Sequence, residues 1–319
     1  MIVAITGGTG FIGKKLVQRH LAQGDTVRIL TRRNRSEISL CPHLKIYRAD
    51  LTTNSNDLIP FVKGADLLYH CAAELRDTGR MYAVHVQGTS NLLKAAIGRI
   101  GRWVQLSSVG VYGPHIAGVV TEETPLNPTG IYEKTKAESD LIILRAAESE
   151  AIRFSILRPS IVFGEGMTNR SLFQLVSAID KGVFFFIGKR GASANYIHVD
   201  NVVEGLIICG RLPQAEGRIY NLSDWRSMEE FITIIARQLG KSMPSFRIPE
   251  GVIRLIVTLL GVIPKFPLSK SRVEALTNRC SYTIARIKQE LGYRHVVSIE
   301  EGLARLVTHW KSTQKGILT

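Results

Sequence analysis

"TGGTGFIG", residues 6–13, follows the apolar run "IVAI" at positions 2–5. It opens a segment that places Phe11, Ile12, Leu16, Val17 and Leu21 on one side of a helix. Glycines at 7, 10 and 13 at such a strand-to-helix junction have separate uses. Gly7 supplies a tight turn, Gly10 lets the main chain approach a pyrophosphate, and Gly13 lets helix and strand pack closely. The helix start adds unpaired N–H groups and a partial positive charge. A glycine spacing alone is a weak signal, and its place between strand and helix makes it specific. Phe11 and Ile12 open the helix and belong to the same candidate binding loop.

Outward from this loop, apolar strands are expected at 2–6, 26–30, 44–48, 66–70, 103–107 and 154–158. Helices are expected at 11–23, at about 80–98 and from 131. Strands that are apolar throughout and separated by helices predict an α/β protein with a doubly wound parallel sheet covered on both faces. After about residue 165 the pattern loosens into helices near 169–181, 200–210 and 227–239, with short strands near 184–187 and 218–222. Prolines at 244, 249, 264 and 267 punctuate a helical tail that ends near Trp310. The expected division is residues 1–165 for the dinucleotide-binding sheet and 166–319 for a smaller, mostly helical substrate lobe. Residues from about 196 to 222 also contribute to the sheet. The lobe is expected over the carboxyl ends of the strands, where open parallel sheets bind ligands.

The 319 residues carry 41 basic and 27 acidic side chains, a formal charge of +14, which favours anionic partners. No nucleic-acid motif accompanies that charge, so a small-molecule substrate is expected and nucleic acid is not. Cys41, Cys71, Cys209 and Cys280 are scattered, which points to reduced thiols, no metal site and a cytoplasmic location. The start "MIVAITGG" has no basic segment before its apolar run and is read as a first strand. "GVIRLIVTLLGVI", 251–263, is too short to span a bilayer and contains Arg254. It is read as a packed element of the lobe in preference to a peripheral membrane contact.

A dinucleotide-binding sheet normally ends its second strand with an acid for the ribose hydroxyls. Here "RILTRRNR" puts Arg32 and Arg33 at that place. Guanidinium groups pair with phosphate oxygens in a bidentate way, so NADP is expected, with NAD as the alternative. After the third strand, Asp50 has two open readings, an acceptor for the adenine amino group or a turn residue, with Leu51 beside it.

Tyr132 and Lys136, in "IYEKTKAESD" at 131–140, are spaced to project from one helix face, while Lys134 and Glu133 are expected to be solvated. "QLSSVGVYG", 105–113, begins at another strand end and offers Ser107 or Ser108. A phenol is a poor base at neutral pH, and a nearby ammonium favours its phenolate. A serine hydroxyl could hold a substrate oxygen while the tyrosine moves its proton and a nicotinamide carries the hydride.

"TGGTGFIG", "SSVGVYG" and "YEKTK" in this order resemble the extended short-chain dehydrogenase/reductase family, in its epimerase/dehydratase branch. "HCAA" (70–73), "VHVQGTSNLLKAA" (84–96), "LRPSIVFG" (157–164), "YIHVDNVVEGL" (196–206), "YNLSD" (220–224), "IKQELGY" (287–293) and "SIEEGLARLV" (298–307) extend the likeness along most of the chain. The resemblance implies a Rossmann-type sheet with Ser108, Tyr132 and Lys136 as catalytic residues. It also implies that His70, Cys71, Ala72 and Ala73 line the nicotinamide side of the groove. Pro159 completes the candidate cofactor-binding set. A homodimer is usual for this fold.

Two departures stand out. His85 replaces the asparagine of the branch's "NVxGT" helix, and Ala194 stands where nucleotide-sugar members commonly carry a phosphate-binding arginine. Arg170, Lys189 and Arg190 are substitutes for that arginine, each more readily read as a surface charge. The expected function is epimerase/dehydratase-type chemistry at a carbinol or ketone carbon, with a nucleotide sugar slightly ahead as substrate. The alternative is an NADPH-dependent reductase or dehydrogenase of an apolar alcohol or ketone, similar to hydroxysteroid and dihydroflavonol relatives. A non-catalytic NADP sensor or assembly subunit is a remote third reading. His198 and Asp200 are assigned structural roles, Asp200 as a helix cap, and His115 is a weak candidate for substrate contact.

Overall fold

Val3, Ala4 and Ile5 are fully buried, as a strand with no polar face requires. They belong to β1 (Ile2–Thr6), near the middle of a seven-stranded sheet in a computed structural model. The structure describes residues 1–32, 41–115, 117–167, 170–260 and 270–315. The other strands are β2 (Thr26–Thr31), β3 (Leu44–Arg48), β4 (Ala65–His70), β5 (Ile100–Leu106), β6 (Phe154–Pro159) and β7 (Arg218–Leu222). The order is β7-β6-β5-β4-β1-β2-β3, and every pair is parallel. The six strands expected before residue 160 are all present, with β5 beginning three residues earlier.

The chain moves outward from β1 to β3, then returns to the other side of β1 as β4. That reversal opens a crevice between the loops after β1 and β4. Gly7 has φ +68°, and a Cβ there would lie 2.7 Å from the Cys71 carbonyl oxygen. Only glycine lets the two loops meet at the switch point.

Alternation along β1 divides the core. Val3 and Ile5 pack with Leu16 and Val17 of the Phe11–Ala22 helix and Val202, Val203 and Leu206 of the Val199–Arg211 helix. Ala4 faces the opposite layer with Leu92, Ile143 and Trp103, where the helices Gly88–Ala96 and Ile131–Glu148 lie. The helix expected at about 80–98 is three pieces: Thr78–Tyr82, a π-helical turn Ala83–Gln87, and Gly88–Ala96.

Of the lobe's strands, the sequence pattern predicts only the one near 184–187, found as Phe186–Ile187. Ile161–Phe163, Ser193–His198 and Asp224–Ser227 form one small sheet. Ala117–Val120 pairs with Arg279–Tyr282, and Phe186–Ile187 pairs with Arg247–Ile248. Phe163, Phe231, Leu303 and Leu306 anchor the lobe's core. The Glu250–Leu260 helix buries Ile253 and Val257 against Ile187 and Val273, while Val252, Leu255 and Leu259 are exposed. The expected packing therefore holds for one face of it, and residues 261–263 lie outside the described residues. Among the described residues, no helix is long and apolar enough to cross a membrane.

Asp200 is not the cap of its helix. His198 caps it, accepting from the Asp200 N–H at 3.3 Å. The Asp200 carboxylate instead pairs with Lys15 at 2.8 Å and Arg305 at 3.5 Å, joining the first helix to the last.

Two buried polar chains fix the edge of the sheet. Asp140 Oδ2 accepts from Ser107 Oγ at 2.7 Å and from Arg158 Nε and Nη2 at 3.2 and 3.1 Å. Arg158 Nη1 donates to the Tyr112 hydroxyl at 3.0 Å, which donates to Asn221 Oδ1 at 2.8 Å. In the second chain, Thr6 meets His70 Nδ1 at 2.7 Å, and His70 Nε2 meets Thr89 at 3.0 Å. Ser139 and Gln105 continue it to Trp103. Burial, chiefly, lowers His70 to about 3 and His85 to about 4, from an ordinary 6.5. Both therefore fold neutral, and the unfolded chain takes up these protons first as pH falls. Stability should decline below about pH 6.5, by about 2 kcal/mol per histidine at pH 5. Urea unfolding between pH 5 and 8 measures this, and His70→Gln should flatten the slope.

Candidate active site

Two cavities that share Gly7, Gly10 and Ala73 run along the carboxyl edge of the sheet, across the switch point. The larger, about 400 Å³, is lined by Phe11, Ile12, Gly13, Cys71, Ser108, Tyr132, Lys136 and Pro159, among others. The smaller, about 240 Å³, is lined by Arg32, Asp50, Leu51 and Ala72. Apart from His70, every sequence-derived cofactor candidate within the described residues borders one of the two, and Arg33 lies outside the described residues. His70 does not line the groove as expected: it is buried behind it, with its ring nitrogens bonded to Thr6 and Thr89.

The loop's shape fits a dinucleotide. A Cβ at Gly13 would sit 2.2 Å from the Gly7 carbonyl oxygen, and one at Gly10 would sit 3.2 Å from it. Among the described residues, no side chain caps the helix that begins at Phe11, so its first-turn N–H groups stay available to an anion. Arg32 is exposed at the rim, with Nη1 3.9 Å from Asp50 Oδ2. Asp50 Oδ1 accepts from the N–H and hydroxyl of Thr52, each at 3.0 Å, which gives Asp50 a turn role while it lines the cavity.

The two serines divide. Ser107 is buried, and its hydroxyl is committed to Asp140. Ser108 caps the turn Val109–Tyr112, accepting from the Gly110 N–H at 3.1 Å, and borders the larger cavity. Lys136 is buried, and its Nζ donates to the Leu106 carbonyl at 2.5 Å. Burial lowers its pKa, against an upward pull from Asp140.

Tyr132 departs from the expected lysine-assisted phenolate. Its phenol is pushed up to about 12 by burial and then by the negative charges of Glu133 and Asp140. The neighbouring ammonium is directed at a main-chain carbonyl, and the phenol holds its proton in this geometry.

Lys134 is exposed as expected, but Glu133 is not merely solvated. It leans on Gly110 and Gly130, where a Cβ would come within 2.9 Å of its Cγ and 2.1 Å of its Oε2. It borders a further cavity of about 350 Å³ that begins at Ser108 and Ser160. Apolar residues such as Ile161, Leu175, Met228 and Leu276 line much of that space, with Asn195 among them. Ser160 and Asn195 were not singled out from the sequence. Among the described residues, the Ser160 hydroxyl and Asn195 Oδ1 are buried without a partner, a property visible only in three dimensions.

Ala194 is buried in the lobe's core. Its register partner Arg226 is held by Asp224 at 2.6 Å. Lys189 lines a separate cavity with Arg247 and Arg279, while Arg170 and Arg190 are exposed. His115 bonds the Tyr112 carbonyl at 3.2 Å.

Residues 3–223 match the model of the NAD dependent epimerase/dehydratase family. The chain is 28% identical to the 3 beta-hydroxysteroid dehydrogenase/Delta 5-->4-isomerase of Mycobacterium tuberculosis, over 97% of this chain and 90% of that one. It is 27% identical to the 3beta-hydroxysteroid-dehydrogenase/decarboxylase isoform 1 of Arabidopsis thaliana, over 95% of this chain and 78% of the relative. A crystal structure of DesIV, a dTDP-glucose 4,6-dehydratase from Streptomyces venezuelae with NAD and TYD bound, superposes with a TM-score of 0.75. Identity to it is 26%, over 99% of this chain and 98% of that one. With the family's matched span covering the glycine loop, the serine strand end and the tyrosine helix, the chain belongs to the NAD dependent epimerase/dehydratase family.

Proposed function

We propose that the protein is an NADP-dependent oxidoreductase acting at a carbinol or ketone carbon, with Ser108, Tyr132 and Lys136 as its catalytic residues. The observation that carries this reading is that these three side chains border one cavity with the glycine loop. A bound nicotinamide would supply or accept the hydride. Ser108 would orient the substrate oxygen from the end of β5. Tyr132, held protonated, would give that oxygen its proton, which suits ketone reduction. Lys136, anchored on Leu106, would bind the cofactor's ribose and favour the phenolate once the proton has left. Arg32 would read the 2′-phosphate and, with Asp50 and Leu51, hold the adenosine half.

Tyr132→Phe should leave NADPH affinity within about twofold and lower kcat by at least about a thousandfold, since general acid catalysis is lost. Retained turnover would defeat the assignment. Replacing Arg32 and Arg33 with Ala should weaken NADPH at least about tenfold and NADH hardly at all, because a charge-assisted phosphate contact goes. Equal losses for both cofactors would show that no 2′-phosphate is read there.

For substrate, the cavity beyond Ser108 favours an apolar alcohol or ketone, in keeping with the hydroxysteroid activities of two relatives. Buried Ala194 supports the same choice. The nucleotide-sugar reading is second, supported by the likeness to the dTDP-glucose dehydratase. A thermal-shift screen with NADP present should show stabilisation by a 3-ketosteroid and none by UDP- or dTDP-glucose. The opposite pattern would transfer the proposal to sugar chemistry.

A further inference from the structure

His85 stands in the π-helical turn Ala83–Gln87 and is 1% exposed. Its ring reaches two parts of the site at once. Nε2 accepts the Glu74 backbone N–H at 2.8 Å. Nδ1 lies 2.8 Å from the Thr135 hydroxyl. That hydroxyl has one proton, directed at the carbonyls of Ile131 at 2.9 Å and Tyr132 at 3.0 Å. Thr135 must therefore accept from Nδ1, and Nε2 must be bare to accept from Glu74. Two independent partners select the same tautomer.

Both partners belong to the site. Glu74 follows Ala72 and Ala73, and it lines the adenosine-side cavity with them. Its own Oε1 takes the N–H groups of Leu75, Arg76 and Asp77 at 3.0, 3.0 and 3.3 Å, which stiffens the segment. Leu75 in turn borders the larger cavity. On the other side, Thr135 belongs to the first turns of the helix that carries Tyr132, and the His85 ring meets the Tyr132 ring edge-on, with centroids 5.5 Å apart. The π turn is itself braced, because the Thr89 hydroxyl donates to the His85 carbonyl at 2.5 Å.

We propose that His85 is a positioning residue: as a neutral imidazole protonated on Nδ1, it ties the cofactor-groove wall at Glu74 to the first turns of the Tyr132 helix. A shorter amide at this place could serve only one of the two. Asn offers an amide N–H near the position of Nδ1, whereas Gln offers a carbonyl near that of Nε2. The catalytic meaning of the tie rests on Tyr132 as proton donor, but its existence can be tested without turnover.

The test compares His85→Asn and His85→Gln by amide hydrogen exchange and by NADPH affinity from cofactor fluorescence. The Asn variant should speed exchange in residues 72–77 and raise the Kd for NADPH about fivefold, as for one lost neutral hydrogen bond. It should leave residues 131–136 as in the wild type. The Gln variant should do the reverse, with exchange about fivefold faster in 131–136 and NADPH affinity retained. Wild-type exchange in both variants, or faster exchange of both segments in both, would overturn the proposal. Nitrogen-15 spectra of the wild type give a second measurement that needs no variant to fold. They should show His85 protonated on Nδ1 and bare on Nε2 at pH 7, and the opposite tautomer would overturn the proposal. Neither measurement uses turnover, so a failure here leaves the Tyr132 assignment standing, and an active Tyr132→Phe enzyme would leave this one standing.

Discussion

A single carboxylate oxygen, Asp140 Oδ2, collects hydrogen bonds from Ser107 and from two nitrogens of Arg158 inside the protein. Burying either charge alone would be strongly unfavourable, so the three groups must be placed together or not at all. They come from the helix Ile131–Glu148, the end of β5 and the strand β6. Through Tyr112 and Asn221 the constraint extends to the serine turn and to β7. The elements that present Ser108, Tyr132 and Lys136 are thus registered against one another before any ligand arrives. The same carboxylate acts at a distance on two of the proposed catalytic side chains. It pulls Lys136 towards its charged form and, with Glu133, pushes the Tyr132 phenol towards its protonated one.

The site is accordingly built from two kinds of material. Its floor is rigid: glycines whose replacement would collide with main-chain atoms, and polar groups that satisfy one another in chains. Its outer part is looser in chemical commitment. The cavity beyond Ser108 mixes Ile161, Leu175 and Met228 with the oxygens of Ser160 and Asn195, which have no partner among the described residues. A substrate with an apolar body and one or two hydrogen-bonding groups would satisfy both sets of atoms.

How much of this was legible in the sequence follows from the range of the interactions. The glycine loop, the apolar strands and the Tyr132–Lys136 spacing are local patterns, so the sheet and the catalytic candidates could be read along the chain. Lobe strands that the sequence pattern misses, such as Ala117–Val120 and Ile161–Phe163, form only because distant segments pair with them. Asp200 was misread as a cap because its partners, Lys15 and Arg305, lie far away in sequence. In the sequence His85 reads only as a replacement for the branch's asparagine. Its weight comes from Glu74 and Thr135, which no spacing rule connects to it. Glu133 likewise looked solvated until the glycines at 110 and 130 were seen to make room for it.

The small sheet of the lobe is not hung from the large one by a linker. β6 runs through Ser160 into the strand Ile161–Phe163, and β7 runs through Ser223 into Asp224–Ser227. The strand Ser193–His198 returns directly into a helix of the large sheet. Three passages thus join the small sheet to the large one with almost no slack, and the Ser160 N–H is bonded to the Leu222 carbonyl at 2.8 Å. The chain visits the large sheet's core once more through Ile287, Leu291 and Tyr293 before the last helix returns to the lobe. Such a joint resists swinging about any one axis and permits at most a slight sliding of one sheet on the other. Selectivity must then reside in the side chains of a fixed cleft. Exchanging that cleft with a relative's would take several matched splices, not one.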